Sequence, residues 1–221
     1  MKSIFYKEWI KIKWTFLAFL VLGIVGHTIM FLKVRHDILF VDAVNYWYSF
    51  LFRGYPYFSI LKFLPLVAGL GIAIAQYFPE TLNKRIKLTF HLPVGENEIL
   101  LKMHAFGASS LTAMFVFFFV IFVSGSYIYF PAEIIKPSLL TITPWFLGGL
   151  ATYFITALIL LEPIWLYRGL YMVTGAGFIA FFYMYGTIGA YKPVIISLAV
   201  LTLLISTGVL FSGYRFRKGE M

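Results

Sequence analysis

The sequence predicts an all-α membrane protein, a six-helix transmembrane bundle forming a single transmembrane domain over residues 1–221. Three observations carry that expectation. Hydrophobic residues fill 61% of the 221 positions and charged residues only 12%, with a mean hydropathy of +0.88, too little polar surface to coat a water-soluble globule. The apolar residues come in runs of about 18 or more with few charges, the length that a hydrocarbon layer of about 30 Å asks of a helix. These runs are apolar on every side, whereas the strands of a membrane barrel alternate in polarity.

Residues 1–13 are expected to form an N-terminal amphipathic interfacial helix. On a helix Phe5, Trp9 and Ile12 share one face and Lys7 and Lys11 project from another, with Glu8 and Ile10 interrupting the pattern. Spans are expected over 14–32, 57–78, 104–130, 139–161, 169–186 and 194–213. Lys62 sits near the outer end of the second, where its stem can carry the ammonium to the interface. The fifth span is the shortest, and its aromatic approach from Trp165 to Tyr171 suits an interfacial belt. Tyr214, Arg215, Phe216, Arg217 and Lys218 read as an anchoring tail. The basic start followed by an apolar run of span length, with no A-x-A site, is read as a retained first helix and not a cleaved signal.

Six spans put both termini on one side, together with twelve of the 18 Lys and Arg residues, including Lys84, Arg85, Lys87 and Lys102. The positive-inside rule then makes the termini and the 79–103 loop cytoplasmic, in a multi-pass protein of the cell inner (cytoplasmic) membrane. The net charge of +9 becomes mainly a topological signal with some attraction to anionic membrane lipid. Nucleic acid is not an expected partner, because no soluble element carries a basic face. The absence of cysteine excludes disulfides and thiolate metal sites.

Chemistry-bearing motifs are sparse. His27, His36, His91 and His104 are dispersed and form no metal-ligating pair. No G-x-x-x-x-G-K-[ST] loop occurs, so no nucleotide site is expected. Gly175-Ala-Gly177 fits a loose dinucleotide pattern, but inside an apolar span without a preceding strand it is better read as helix packing. Gly69 with Ala73, Gly71 with Ala75, and Ala105 with Ser109 are further small-residue pairs of that kind. Glu162 and Arg168 form a candidate brace for a cytoplasmic gate, or a plain interfacial pair. Few acids lie within the spans, which argues against a proton-driven carrier. The milder polar groups there, His27, Thr28, Gln76, Ser109, Ser110, Thr112, Thr152, Thr156 and Ser206, suit hydrophobic or amphipathic cargo better than a small ion.

The most informative segment is the charge-dense stretch between Gln76 and Gly107, pinned between two apolar runs. Pro79 is expected to end the second span and to leave Glu80 at a helix C-terminus, where the macrodipole disfavours an anion. Lys84, Arg85 or a partner protein would compensate it. Ile86, Leu88, Phe90 and Leu92 lead to a Pro93–Gly95 turn, after which Glu96 to Lys102 begin a helix feeding the third span.

This order resembles the intracellular loop of ABC type-2 transporter permeases, with Glu80, Arg85, Leu88, Thr89, Leu92, Pro93, Val94, Glu98 and Lys102 at the matching positions. The resemblance implies that residues 79–103 form a cytoplasmic coupling loop whose coupling helix docks on a separate ABC-type ATPase subunit. Glu80, Lys84, Arg85, Leu88, Leu92, Pro93, Val94, Glu96 and Lys102 would contact that subunit. ATP and Mg would be bound by the partner, with no cofactor in this chain, and the pathway would be completed by a homodimer or a heterodimer with another permease. Thr187 to Pro193 leave no room for the re-entrant element many relatives carry. The exterior loop 33–56, with Tyr46, Trp47, Tyr48 and Phe50, is the candidate substitute lid.

The expected function is therefore a transmembrane permease subunit of an ATP-driven exporter of hydrophobic or amphipathic substrate, not an enzyme by itself. The alternative is a noncatalytic membrane anchor or assembly subunit. A lipid-modifying intramembrane enzyme is disfavoured, because no acid, base and nucleophile cluster in the sequence.

Overall fold

The computed structural model describes residues 2–54, 56–82, 95–184, 188–210, 212 and 215. Among them the regular elements are all helical: α1 (Lys2–Val41), α2 (Ala43–Arg53), a 3-10 turn (Ser59–Leu61), α3 (Leu64–Thr81), α4 (Glu96–Tyr129), α5 (Ala132–Leu161), α6 (Trp165–Phe181) and α7 (Ile195–Ser206). Four stretches, Ile4–Phe40, Ser59–Thr81, Asn97–Tyr129 and Ala132–Leu161, are long and apolar enough to cross a membrane. The chain is thus an all-helical membrane protein.

The fifth and sixth expected spans are shorter than foreseen, at 17 residues for α6 and 12 for α7. At 1.5 Å per residue α7 reaches about 18 Å, against about 30 Å of hydrocarbon. It is interrupted locally: the N–H groups of Thr207 and Gly208 donate to Leu204 and Ile205 carbonyls at 3.2 and 2.9 Å, a tightening to three-residue bonds, and helical residues follow at Val209, Leu210 and Ser212. The six-span expectation narrows to four helices of spanning length with α6 and α7 packed on α5.

The expected interfacial helix 1–13 is not a separate element. It forms the first turns of α1, which runs unbroken for 40 residues, as its lack of Gly or Pro before Gly23 allows. The buried stripe is Ile4, Glu8 and Ile12, and Phe5 and Trp9 are exposed. Reading Glu8 as an interruption moved the inward face by one residue. Likewise the stretch expected as an exterior loop, 33–56, is mostly helical: α1 continues to Val41, and α2 follows after the single residue Asp42. The Asp42 carboxylate accepts a hydrogen bond from the Ala43 N–H at 2.8 Å, an N-cap. Gly54, at φ 67°, closes α2 in the left-handed conformation.

α5 is the central helix, touching α2, α3, α4, α6 and α7. It meets α3 most closely at two glycines: a Cβ on Gly69 would lie 2.1 Å from the Gly149 carbonyl oxygen, and one on Gly149 would lie 2.6 Å from that of Pro65. In a bilayer such close backbone approach replaces the hydrophobic drive that water supplies to soluble bundles. Ala73, one turn beyond Gly69, is fully buried, in keeping with the expected small-residue pair. Of the glycines in the loose dinucleotide pattern, Gly175 packs against Ile155.

The two ends of the bundle are held differently. At the far end from the N-terminus, Tyr57 stacks on Phe130 with ring centres 4.3 Å apart and lies parallel to Phe122 at 5.9 Å, while Phe58 packs on Trp145 at 5.5 Å. At the terminal end the packing is polar.

Candidate functional site

The terminal-end site is built where the first turns of α1 meet the last turns of α3, the first turns of α4 and the last third of α5. Glu8 is fully buried on the inward stripe of α1, and a buried carboxylate persists only when it is paired and hydrogen-bonded. Both conditions are met. The Lys11 ammonium, one turn on, forms an ion pair with Glu8, and the Gln76 side-chain amide donates to Glu8 Oε2 at 3.0 Å. Lys11 also reaches Glu80 Oε1 at 3.0 Å, and Lys7 reaches the same oxygen at 2.7 Å. Two carboxylates and two ammoniums thus balance within one cluster.

Gln76 is the hub. Its amide nitrogen donates a second bond, at 2.7 Å, to the Met103 carbonyl of α4, and its amide oxygen accepts from the Tyr153 hydroxyl of α5 at 2.8 Å. One side chain thereby ties α3 to α1, α4 and α5. Gly107 makes room for it, since a Cβ there would lie 2.1 Å from both Gln76 Oε1 and the Tyr153 oxygen. Beside the hub, Tyr77 and His104 Nδ1 are paired at 3.0 Å.

A second cluster surrounds Glu162, the residue that caps α5. The expected pairing with Arg168 takes a different form: the Arg168 guanidinium donates at 3.2 and 2.6 Å to the Glu162 backbone carbonyl, which the helix end leaves without an intrahelical donor. The Glu162 carboxylate instead accepts from the Ser212 hydroxyl at 2.8 Å and lies 3.5 Å from Arg215. Arg215 was expected only as part of an anchoring tail. Its ring contact with Tyr167, at 4.3 Å from the centroid, adds a cation–π attraction.

The expected ATPase-contact residues divide into two groups. Lys84, Arg85, Leu88, Leu92, Pro93 and Val94 lie outside the described residues, as does the side chain of Glu96. Glu80 is buried and bound to Lys7 and Lys11 of the N-terminal helix. Lys102 pairs with Glu98 one turn before it. Residues 96–102 form a continuous extension of α4.

Sequence reasoning missed Glu8 as a site residue and Gln76 as its hub. The four-residue spacing of Ile4, Glu8 and Ile12 was an available signal for the first, but nothing local announces the second. Several polar groups weighed as pathway lining are engaged within their own helices. Thr28, Ser109, Ser110, Thr112, Thr152 and Ser206 each donate to a carbonyl three or four residues earlier. Among the described residues no His, Asp or Glu group is arranged to hold a metal ion. No family model, curated protein or solved structure matches the chain.

Proposed function

We propose that this chain is the permease subunit of an ATP-driven ABC-type exporter, coupled through residues 80–102 to a separate ATPase subunit. The observation that supports this reading is the hub at Gln76. The helix ends that flank the polar loop, at Thr81 and Glu96, lead within two turns to Gln76 and Met103, where the Gln76 amide donates both to the Met103 carbonyl and to Glu8. A push on the loop would therefore be passed to α1, α3 and α4 together, and through Tyr153 to the central helix. Buried polar networks of this kind are stiff because each broken bond leaves an unsatisfied group in a low-dielectric interior.

Hydrophobic or amphipathic cargo suits the flanks of the bundle. A groove of about 390 Å³ between α3, α5 and α6 is lined by Leu70, Ile74, Ile155 and Met172, and one of about 300 Å³ between α4 and α5 is lined by Val116, Phe119 and Leu147. Six helices in one chain would make half of a two-fold pathway, so the working unit is a dimer with itself or a sister permease.

The second reading, a noncatalytic membrane anchor, is favoured by the span hydroxyls that are engaged within their own helices. The two separate experimentally. The chain has no cysteine, so Leu88→Cys introduces a single cross-linking site in the loop. Cross-linking to a co-purified ATPase, with ATP hydrolysis in liposomes that falls when Leu88→Asp is introduced, supports coupling. A cross-link with hydrolysis indifferent to Leu88→Asp supports the anchor. Failure to recover any nucleotide-hydrolysing partner overturns the coupled permease and leaves the anchor.

A further inference from the structure

The far end of the bundle holds a cavity of about 550 Å³ bounded by the last turns of α1, by α2 and by the turn before α3. Its walls combine two kinds of surface. Phe50, Pro56 and Tyr57 supply an apolar floor, with Phe50 fully buried. Lys33, Arg53 and Tyr46 line the rest together with Ser49, Ser59 and Asp37.

The cations distinguish this cavity from the lateral grooves. Among the described residues neither Lys33 nor Arg53 has a carboxylate within ion-pair distance, and the Tyr46 hydroxyl has no hydrogen-bond acceptor. At the terminal end, by contrast, Lys7, Lys11 and Arg215 are all committed to buried acids. Tyr46 remains a donor at any physiological pH, because burial, then the charge of Asp37 and the neighbouring Tyr57, push its hydroxyl up to about 12. Donors without acceptors around an apolar floor form the complement of an anion attached to an apolar body.

We propose that this cavity binds the phosphate ester headgroup of a membrane phospholipid, Lys33, Arg53 and Tyr46 facing the phosphate and Asp37 facing an ammonium such as that of ethanolamine. The position fits the source: the cavity lies at the end of four membrane-length helices, level with the headgroups of whichever leaflet covers it. α2 forms one wall, and it is joined to α1 by one residue and turned back by Gly54. The inference is independent of the ATPase partnership and stands whether or not one is found.

The full-length chain, purified in a neutral detergent, is titrated with dihexanoyl phosphatidylethanolamine, using the fluorescence of its tryptophans, Trp47 of α2 among them, as the readout. Inorganic phosphate and a diacylglycerol of the same chain length serve as competitors. The double variant Lys33→Gln/Arg53→Gln is expected to weaken binding by about tenfold or more, since a single decade corresponds to ~1.4 kcal/mol. The control Lys136→Gln/Lys192→Gln, which removes two cations from the same end outside the cavity, is expected to leave it unchanged. Both pairs are surface side chains, and an unchanged thermal midpoint establishes that each variant is folded. An equal loss in the control overturns the proposal in favour of general surface charge. Retained affinity in the Lys33/Arg53 variant overturns it outright. Displacement by inorganic phosphate alone, with no preference for the lipid, assigns the site to a free anion and overturns the lipid assignment.

Discussion

Lys11→Met is the sharpest test of the terminal-end cluster. The substitution keeps the length and apolar stem of the side chain and removes only the ammonium, which is bound to both Glu8 and Glu80. Lys7 remains to neutralise Glu80, so the loss falls on Glu8, which is fully buried and keeps only the Gln76 amide as a donor at 3.0 Å. Leaving one partner of a buried pair uncompensated costs about 3–5 kcal/mol, which in a chain of this size moves a thermal midpoint down by roughly 6–20 °C. The decisive measurement is the double variant Glu8→Gln/Lys11→Met, because removing both charges removes the unpaired one as well. Thermal unfolding in detergent, followed by tryptophan fluorescence, should place the double variant well above Lys11→Met alone. Were the two losses simply to add, or Lys11→Met to melt with the wild type, Glu8 would not depend on Lys11 and the cluster would not be what holds α1 to α3.

Gly107→Ala places a methyl group 2.1 Å from both partners of the Tyr153–Gln76 hydrogen bond; opening that bond leaves a buried acceptor without its donor, at about 1–3 kcal/mol, a loss that calorimetry or denaturant unfolding can read. Asp42 holds φ 76° and ψ 143° without being glycine, so Asp42→Gly should relieve about 1–3 kcal/mol of backbone strain while losing only a few tenths as a cap. Asp42→Ala keeps the strain and loses the cap, so the two variants should shift the unfolding midpoint in opposite directions. Tyr46 contributes a pH dependence of defined sign. Its hydroxyl is raised to about 12 in the folded chain, against about 10 in an unfolded one, so its contribution is intact below pH 10 and is lost as the pH climbs towards 12. Tyr46→Phe should lose less stability across that window, measured as the difference in unfolding midpoint between the two proteins.

Hydropathy alone located the four membrane-length helices, because a bilayer converts apolar length directly into a span. The centres of all four fall inside expected segments, and the errors lie at ends and joints. Continuity of α1 was legible in the uninterrupted run through Lys11, Lys13 and Trp14, and the start and stop signals of α2, Asp42 and Arg53-Gly54, are equally plain. Charged and aromatic flanks, which usually mark an interface, here continue as helix. The interruption after α7 was not legible in this way, since hydropathy continues unchanged through the point where the backbone tightens at Thr207 and Gly208. Nor was the site. Lys11 and Glu80 are 69 positions apart, and Gln76 and Tyr153 are 77 apart. Local periodicity shows only that Glu80 needs a cation and proposes the nearest, Lys84 or Arg85. The fold brings Lys7 and Lys11 to it as well, because antiparallel packing sets the start of α1 beside the end of α3, and Lys84 and Arg85 lie outside the described residues.

The placement of charge gives the bundle a direction. Glu8, Glu80 and Glu162 are buried acids, and all lie at the terminal end. Each is satisfied by residues remote in sequence, Glu8 through Gln76 of α3 as well as its neighbour Lys11. Such partners cannot slide past one another without exposing a charge to a low-dielectric interior, so they fix the relative height of α1, α3 and α4 and secure the end of α5 to the segment carrying Ser212 and Arg215. At the far end the joints combine aromatic faces, which hold by area and tolerate small rotations, with hydrogen bonds between Tyr57 and Ser126 at 3.0 Å and from the Gly189 N–H to Thr141 Oγ1 at 2.9 Å. Among the described residues Lys33 and Arg53 have no carboxylate within ion-pair distance there. The first three turns of α1 therefore belong to the bundle, since Lys7 and Lys11 both bind the Glu80 carboxylate at the end of α3.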